Sequence, residues 1–568
     1  MGLTSALQIG RSALHYAQAA LQVTGNNMAN ATTPGFTRQT AIAAPLRGER
    51  LGAGSFTGGG VMLSAIQRHV DEAINSRIRG ALGDEQRALT RQNLFSQIES
   101  IQNELTGSDL SSALTRFFNA WSELANNPSD LSVRTLVIEE GVSLAGRLRD
   151  VRGDYTDVRD QIDRDAALQV GRADELLTGI ASLNLSIAQA EQGQGTASSL
   201  RDQRDQLIDE LSTMLDVSVV QQESGTVDLF VGSTPILLGS ASRGITLRTI
   251  STADGPEFLI ETKVDGSDLN IASGSLGALI TARQEIVSGV IDDLDALASS
   301  LIFEVNRIHS QGQAGKGFES VEGTYRVVDP AAALNSAASG LPFTIVNGSV
   351  QIHLTHVATG ERTSFQIDID LDGIGADMSL NDLVNAINAT IGPTNISAAV
   401  TPDGRLSLTA ADGFTLTFSD DTAGVLAGLG VNTYFTGEDA SDIAVNAILV
   451  EDPAFLAAES GHLHGSNGTA LGIANLKTQG LDSLDGRTLI QLWTSTVESL
   501  AVKTRTAIGQ AASSRLVRES LEAQRAAVSG VSLDEEAVNL LNFQRQYEAA
   551  ARYINAVDEL MRVLISII

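Results

Sequence analysis

The chain has 568 residues, of which 43% are hydrophobic but only 4% aromatic, and its 68 acidic side chains outnumber 38 basic ones for a formal net charge of −30. The length exceeds what one hydrophobic core serves and predicts several domains, the apolar content excludes a wholly disordered chain, and the negative charge repels phosphate backbones, so no nucleic-acid partner is expected. Without a cysteine there is no disulfide framework and no thiolate metal site, as suits an exported protein that travels unfolded.

The first 48 residues contain Arg11, Arg38 and Arg47 and no acid. They lack the cationic start and apolar run of a secretory signal, and no stretch of the chain approaches the about 20 apolar residues of a membrane span, so neither ordinary secretion nor membrane insertion is expected. The bias has the outline of an organellar transit peptide, but spacing explains it better. Leu3, Leu7, Gly10, Leu14, Ala17, Leu21, Thr24 and Met28 alternate by four and three residues, and the small members would let another helix approach closely. Residues 26–39 then read as an Asn-rich helix end and a Pro34-Gly35 turn, and glycine-rich residues 52–60 as a flexible connector that fits neither dinucleotide nor P-loop spacing.

Between Val61 and Val220 the only proline is Pro128, and apolar residues recur at helical spacing, as in Ile66, Val70, Ile74 and Ile78 and again in Leu176, Ile180, Leu183 and Ile187. Long helices are predicted there. They are folded into a hairpin at Asn126-Asn127-Pro128, with Ser129 or Asp130 capping the next helix. From about 217 to 465 the texture changes to Gly, Thr, Ser and Asp with period-two alternation, clearest in Phe365, Ile367, Ile369 and Leu371 and in Phe414, Leu416 and Phe418, which predicts half-buried strands. Two helices interrupt them, Leu276 to His309 with Leu294, Leu297, Leu301 and Val305 on one face, and Leu380 to Ala389. Helix returns from about Leu489 to Ile568. There Leu540, Phe543, Tyr547, Ala550, Ile554, Val557, Met561, Leu564 and Ile568 keep every a and d position apolar over four heptads.

Either heptad run alone would suit an amphipathic helix packed on its own domain. Two such runs flanking so different a middle favour a coiled coil between the termini. Large buried a/d side chains contribute about 1.5–3 kcal/mol each, offset by ordering entropy, so the ends are expected to fray in a free chain and to order on assembly. The predicted fold is α+β and multidomain: a discontinuous α-helical coiled-coil base formed by both termini, a long helical hairpin, and inserted β-rich domains. Its expected segments are 1–60 for the N-terminal heptad helix and connector, 61–216 for the first part of a long-helix domain, 217–329 for a β-rich segment with a long helix, 330–440 for an inserted β module, 441–530 for the return to the helical domain and 531–568 for the C-terminal heptad helix.

The stretch Asn26-Asn27-Met28-Ala29-Asn30-Ala31-Thr32-Thr33-Pro34-Gly35-Phe36-Thr37-Arg38-Gln39 resembles the N-terminal signature of flagellar rod, hook and hook-associated proteins. Within that group, Leu200 to Ser212, Gly530 to Glu536 with Phe543 to Tyr547, and Ile443 to Asn446 resemble the FlgK family of hook-associated proteins, and residues 343–431, with Asp403 to Leu408, are similar to β modules inserted in flagellins. The resemblance implies a structural, non-enzymatic protein exported through the flagellar type III apparatus with a cytoplasmic export chaperone. It would lie outside the cell in a ring at the hook-filament junction, touching copies of itself, the hook protein, the second junction protein and the filament. The assembly interface is expected at Leu3, Leu7, Leu14, Leu21, Met28, Leu540, Phe543, Tyr547, Ile554, Val557, Met561, Leu564 and Ile568. The alternatives are another axial protein (hook, distal rod or second junction protein) or a surface hydrolase housed in the β insert. Segments 200–212 and 530–536 argue against the first.

No catalytic, cofactor or metal site is expected. Asp368-x-Asp370-x-Asp372-Gly373 opens like a calcium loop but places Ser379 where a bidentate Glu is required, so it reads as a strand with acids on its wet face. No partner cluster accompanies the pairs His353 and His356, or His462 and His464. A nucleophile elbow of the GxSxG type is missing.

Overall fold

The structure, a computed structural model, describes residues 2–48, 50–52, 55–102, 109–192, 195–252, 255–463 and 465–567. In chain order, helix α1 (Gly2–Ala29) is followed by strands β1 (Gln39–Pro45), β2 (Arg50–Gly52), β3 (Ser55–Phe56) and β4 (Val61–Arg68), then by helices α2 (Glu72–Gln102), α3 (Leu110–Asn126), α4 (Leu131–Glu191) and α5 (Ser198–Met214). Strands β5 (Val217–Gln221), β6 (Val227–Val231), β7 (Thr234–Leu238) and β8 (Ala241–Ser242) form an antiparallel sheet in that order, and β9 (Ile245–Thr252) pairs with β10 (Gly255–Thr262). Helices α6 (Gly274–Thr281) and α7 (Ser288–His309) are joined by a π-helical turn, Ala282–Val287.

Then come β11 (Ser320–Glu322), β12 (Gly348–His356), β13 (Arg362–Ile369), α8 (Leu380–Ile391), β14 (Ile396–Val400), β15 (Leu406–Ala410), β16 (Phe414–Ser419), α9 (Val425–Leu429), β17 (Phe435–Thr436), β18 (Ala444–Val445), α10 (Ala447–Glu451) and α11 (Gly468–Asn475). The chain ends in two helices, α12 (Leu489–Ser529) and α13 (Leu533–Ile567). It divides into two compact units, one of Met1–Leu94, Gln161–Gln284 and Arg505–Ile568, the other of Phe95–Asp160 and Glu285–Thr504.

In the first unit, the α1–α13 pair and the β1–β4 hairpin form the terminal layer. The sheet of β5 to β8 shows clean period two: Val227, Leu229 and Val231 of β6 are buried while Asp228 and Phe230 between them are half-buried. Asn184 of α4, fully buried, fixes that sheet, donating from Nδ2 to the Val227 carbonyl at 2.8 Å and accepting from the Val227 N–H at 3.2 Å. Arg204 of α5, also buried, donates to Asn184 Oδ1 at 3.1 Å and to the Gly225 carbonyl at 2.8 Å, and burial lowers its pKa to about 10.

In the second unit, Phe117 of α3 packs tilted against Tyr434 and Phe435, Trp121 packs edge-on against Tyr434 and Phe118 edge-on against Phe117, and the Tyr434 hydroxyl donates to the Val137 carbonyl at 2.7 Å. The hairpin turn forms at Pro128, and Asp130 rather than Ser129 caps α4, accepting from the Ser132 N–H at 2.8 Å. The β module stacks β13-β12-β16 and β11-β15-β14, with Ile352, Leu354, Ile367, Ile369, Leu416, Phe418, Leu383 and Ile387 in one core. Alternation at 365–371 and 414–418 is thereby realised.

Two local expectations are corrected. Residues 61–68 are a strand, not a helix: Val61 to Arg68 pair antiparallel with Gln39 to Pro45, so Ile66 belongs to β4 and only Ile74 and Ile78 to α2. Asp71 marks the true helix start, accepting from the Ala73 and Ile74 N–H groups at 2.9 and 3.1 Å. The C-terminal helix is also interrupted, at Gly530 to Ser532. A Cβ on Gly530 would lie 2.3 Å from the Ala526 carbonyl oxygen, so only glycine makes this turn.

Candidate assembly interface

Helices α1 and α13 lie antiparallel. Gly10 sits against Ile554 and Tyr553, the Tyr16 and Phe543 rings meet edge-to-face at 6.3 Å, and Asn27 reaches Glu536. Close approach is made by small side chains. Gly10, Ala17, Ala20, Val23, Thr24 and Asn27 are the buried residues of α1, and a Cβ added to Gly10 would lie 2.7 Å from Ile554 Cγ1. On α13 the buried side are Glu536, Ala550 and Val557. The β1–β4 hairpin braces α1: Ser12 Oγ accepts from the Val61 N–H at 3.1 Å, and the Tyr16 hydroxyl donates to the Ala41 carbonyl at 3.2 Å.

The anticipated interface residues divide accordingly. Val557 is buried in the seam; Leu3, Leu7, Leu14, Leu21, Met28, Leu540, Phe543, Ile554 and Met561 are half-buried along its flanks; Tyr547 and Leu564 are exposed, Leu564 at 52%. Ile568 lies outside the described residues. The N-terminal heptad thus turns Gly10 to α13, buries Ala17 and Thr24, and leaves its leucines half-buried on the flank.

At the far end of this pair, segments 26–39, 200–212 and 530–536 meet in a polar clasp. Buried Glu536 accepts from Arg38 Nε at 2.9 Å through Oε1 and from Asn27 Nδ2 at 3.1 Å through Oε2. Arg38 also pairs with Glu535 at 2.8 Å, and its backbone N–H donates to the Ser529 carbonyl at 3.0 Å. Asn27 closes its own turn, donating to the Gln39 carbonyl at 2.8 Å and accepting from the Gln39 N–H at 3.1 Å. The acidic first turn of α13, Asp534 to Glu536, complements the helix dipole as well.

Segment 200–212 enters from α5. Arg68 pairs with Asp202 at 2.8 Å and Asp205 at 2.6 Å, Arg79 and Arg525 hold Asp209 at 2.8 and 3.0 Å, and Gln206 Nε2 donates to the Pro34 carbonyl at 2.5 Å. Burial pushes the Asp202 carboxyl above its ordinary range, against the pull of Arg68. Sequence reasoning singled out all three segments but none of these pairs. The available signal was charge: an acid-free N-terminal signature carrying Arg38, opposite a C-terminal signature carrying three consecutive acids.

In the β insert, His353 is buried, with Nδ1 2.7 Å from Ser364 Oγ and Nε2 2.9 Å from Ser419 Oγ. Burial lowers its pKa to about 4, which makes it a weak base at neutral pH. The ring of His462 packs edge-to-face on it at 4.2 Å, whereas His356 packs on Phe414, and His464 lies outside the described residues. Asp372 and Asp377 accept from backbone N–H groups of Ile374 and Gly373, and Ser379 forms a capping box with Asp382 at the start of α8. Among the described residues no group of three His, Asp or Glu is placed to hold a metal, and no helix is long and apolar enough to cross a membrane.

The family described as the flagellar hook-associated protein FlgK helical domain matches residues 95–320. The flagella basal body rod protein family matches residues 7–37, the flagellar basal body rod FlgEFG protein C-terminal family residues 523–567, and the flagellin hook IN motif residues 351–412. Flagellar hook-associated protein 1 of Escherichia coli is 28% identical over 100% of both chains, and the protein of that name from Salmonella typhimurium is also 28% identical over 100% of both. The solved flagellar hook junction protein FlgK from Burkholderia pseudomallei, 15% identical, superposes with a TM-score of 0.49 over 80% of this chain and 100% of that one.

Proposed function

We infer the role of this chain from the family it belongs to, that of flagellar hook-associated protein 1: it is a structural component of the bacterial flagellum, assembled with other flagellar proteins at the junction between hook and filament. The observation that carries the reading is the antiparallel α1–α13 pair. It uses its small residues internally and leaves Leu3, Leu7, Leu14, Leu21, Met28, Leu540, Phe543, Tyr547, Ile554, Met561 and Leu564 half-buried or exposed on a surface that neighbouring subunits would cover. Contacts repeated head-to-tail around such a base build a ring or tube.

The partners proposed are copies of the chain itself, the hook protein on one side, the second junction protein and filament on the other, and a cytoplasmic export chaperone before export through the flagellar channel to the cell exterior. The β insert is read as a surface module rather than an enzyme, because its one buried histidine is held by two serine hydroxyls and is depressed as a base. Deleting residues 540–568 tests the reading: the chain should still be made, and cells should carry hooks without attached filaments. Normal filaments on those hooks, seen by electron microscopy, would refute the structural role.

A further inference from the structure

In the β module, β13 is an edge strand of the sheet β13-β12-β16. The His356 N–H donates to the Glu361 carbonyl at 2.8 Å at the mouth of the β12–β13 hairpin, which sets the phase of the ladder. Thr363, Phe365 and Ile367 turn their backbone groups to β12, and Arg362, Ser364, Gln366 and Asp368 turn theirs to the outer edge. Those four residues are exposed, and among the described residues no backbone group outside the sheet bonds to them. The next outward carbonyl, that of Asp370, is already taken by the Met378 N–H at 2.8 Å. An edge of unpaired N–H and C=O groups is a template for another strand, and charges commonly block it. Here the charges at the two ends, Arg362 and Asp368, have opposite signs.

We propose that β13 pairs antiparallel with β13 of a second copy of this chain, about a two-fold axis beside Phe365. In that register Arg362 of each copy faces Asp368 of the other, Ser364 faces Gln366, and Phe365 faces its counterpart. Every outward residue stands opposite an outward residue, so each such pair exchanges both N–H···O bonds. A slip by one residue would set outward groups against inward ones. A slip by two sets Arg362 opposite Gln366, or opposite Asp370, whose edge Met378 occupies. Opposite charges directly across a strand pair attract and like charges repel, and the two-fold makes the Arg362–Asp368 pair twice. A strand of uniform charge would meet its own sign at one end, so a second copy is favoured over such a partner. The contact is isologous and closes on two copies. Neighbours in a ring or tube that has a direction along its axis are not related by a two-fold, so this pairing joins chains that are not ring neighbours and is independent of the terminal helices. One strand pair falls well short of the about 1,200 Å² of a stable interface, so the association is weak.

Because the chain lacks cysteine, Gln366→Cys gives each copy a single thiol, and the two lie diagonally across the axis at about 7–8 Å. A bis-maleimide of that span, added to the concentrated full-length chain, should give a dimer on a denaturing gel. Ile374→Cys, 80% exposed but off the edge, should give none. Adding Arg362→Asp to Gln366→Cys sets like charges opposite each other and should lower the dimer yield about tenfold. Adding Asp368→Arg as well restores the attraction and should restore the dimer, which separates the charge pair from any loss of folding. Absence of a dimer from Gln366→Cys, an equal yield with Arg362→Asp, or no recovery in the charge swap would each overturn the pairing. An adduct whose mass is not twice that of the chain would assign the edge to a different strand and overturn it as well.

Discussion

Gly10 decides between two opposed effects, and Gly10→Ala should change sign with the state of the chain. In an isolated helix the substitution stabilises by about 0.8–1 kcal/mol, because glycine orders at greater entropic cost than alanine. In the α1–α13 pair the new Cβ would stand 2.7 Å from Ile554 Cγ1 and 3.1 Å from Tyr553 Cδ1. Ile554 is β-branched and held near one χ1 rotamer in a helix, so it cannot swing aside, and the helices must separate at an overpacking cost of about 1–3 kcal/mol. The clash outweighs propensity by up to about 2 kcal/mol, or about 30-fold in opening. In the free chain, whose ends are expected to fray, Gly10→Ala should raise helicity by circular dichroism. In assembled flagella it should accelerate amide exchange across Leu7–Leu21 and Leu540–Leu564. Adding Ile554→Ala removes the obstacle, so the second effect should reverse in the double variant. Slower exchange for Gly10→Ala in assemblies with Ile554 intact would refute the packing argument, and strong protection of both segments in the free chain would refute the fraying.

Glu536→Ala removes the acceptor shared by Arg38 and Asn27; because Arg38 keeps Glu535 and Asn27 keeps Gln39, the cost should be about 2 kcal/mol rather than the full penalty of a broken buried pair, read as increased protease cleavage between Gly530 and Leu540. Equal cleavage rates would show that the clasp does not hold the α13 start. His309 is buried and neutral, with Nδ1 2.8 Å from the Asn432 carbonyl, Nε2 accepting from the Ala457 N–H at 3.0 Å, and a pKa lowered to about 4 by burial. The unfolded chain binds a proton below about pH 6.5 that the folded chain refuses until about pH 4, so this stability is full above 6.5 and is lost on acidification through that window, by about 2 kcal/mol at pH 5. Urea titrations at pH 7 and 5 should show that loss for residues 285–504, smaller in His309→Gln; an unchanged pH dependence in the variant would assign it elsewhere.

Element types were legible where one period ran long enough to exclude the other. The alternation at 365–369 and 414–418 and the 3.6-residue face of Leu294, Leu297, Leu301 and Val305 became strands and a helix as read, with Leu371 buried just past the end of its strand. Residues 61–70 failed because Ile66 and Val70 keep helical spacing with Ile74 while their neighbours satisfy a strand, and the deciding partner, Gln39–Pro45, lies far upstream. The break at 530 was visible as a glycine, yet only the Ala526 carbonyl reveals why nothing larger fits. The clasp was illegible for a different reason. Arg38 and Glu536 are 498 residues apart, and in a chain with 68 acids no particular carboxylate distinguishes itself until the backbone turns bring it to an arginine.

The terminal heptads show how one apolar pattern can serve two different contacts. Leucines at 3, 7, 14 and 21 would ordinarily form the seam, because they remove the most apolar area from water. Here Gly10 takes that place against Ile554, Ala17 and Thr24 on the same spacing are buried, and Ala20 packs with Ala41 of β1, which brings the backbones together but buries few large side chains. Such a pair gains little hydrophobic stabilisation by itself and keeps its leucines at the flanks, where a neighbour can use them. Strengthening the internal seam with larger residues would separate the helices and turn those flanks away. On this argument the weak pairing within one chain and the capacity to join others have a single cause, the small residues at the centre of α1.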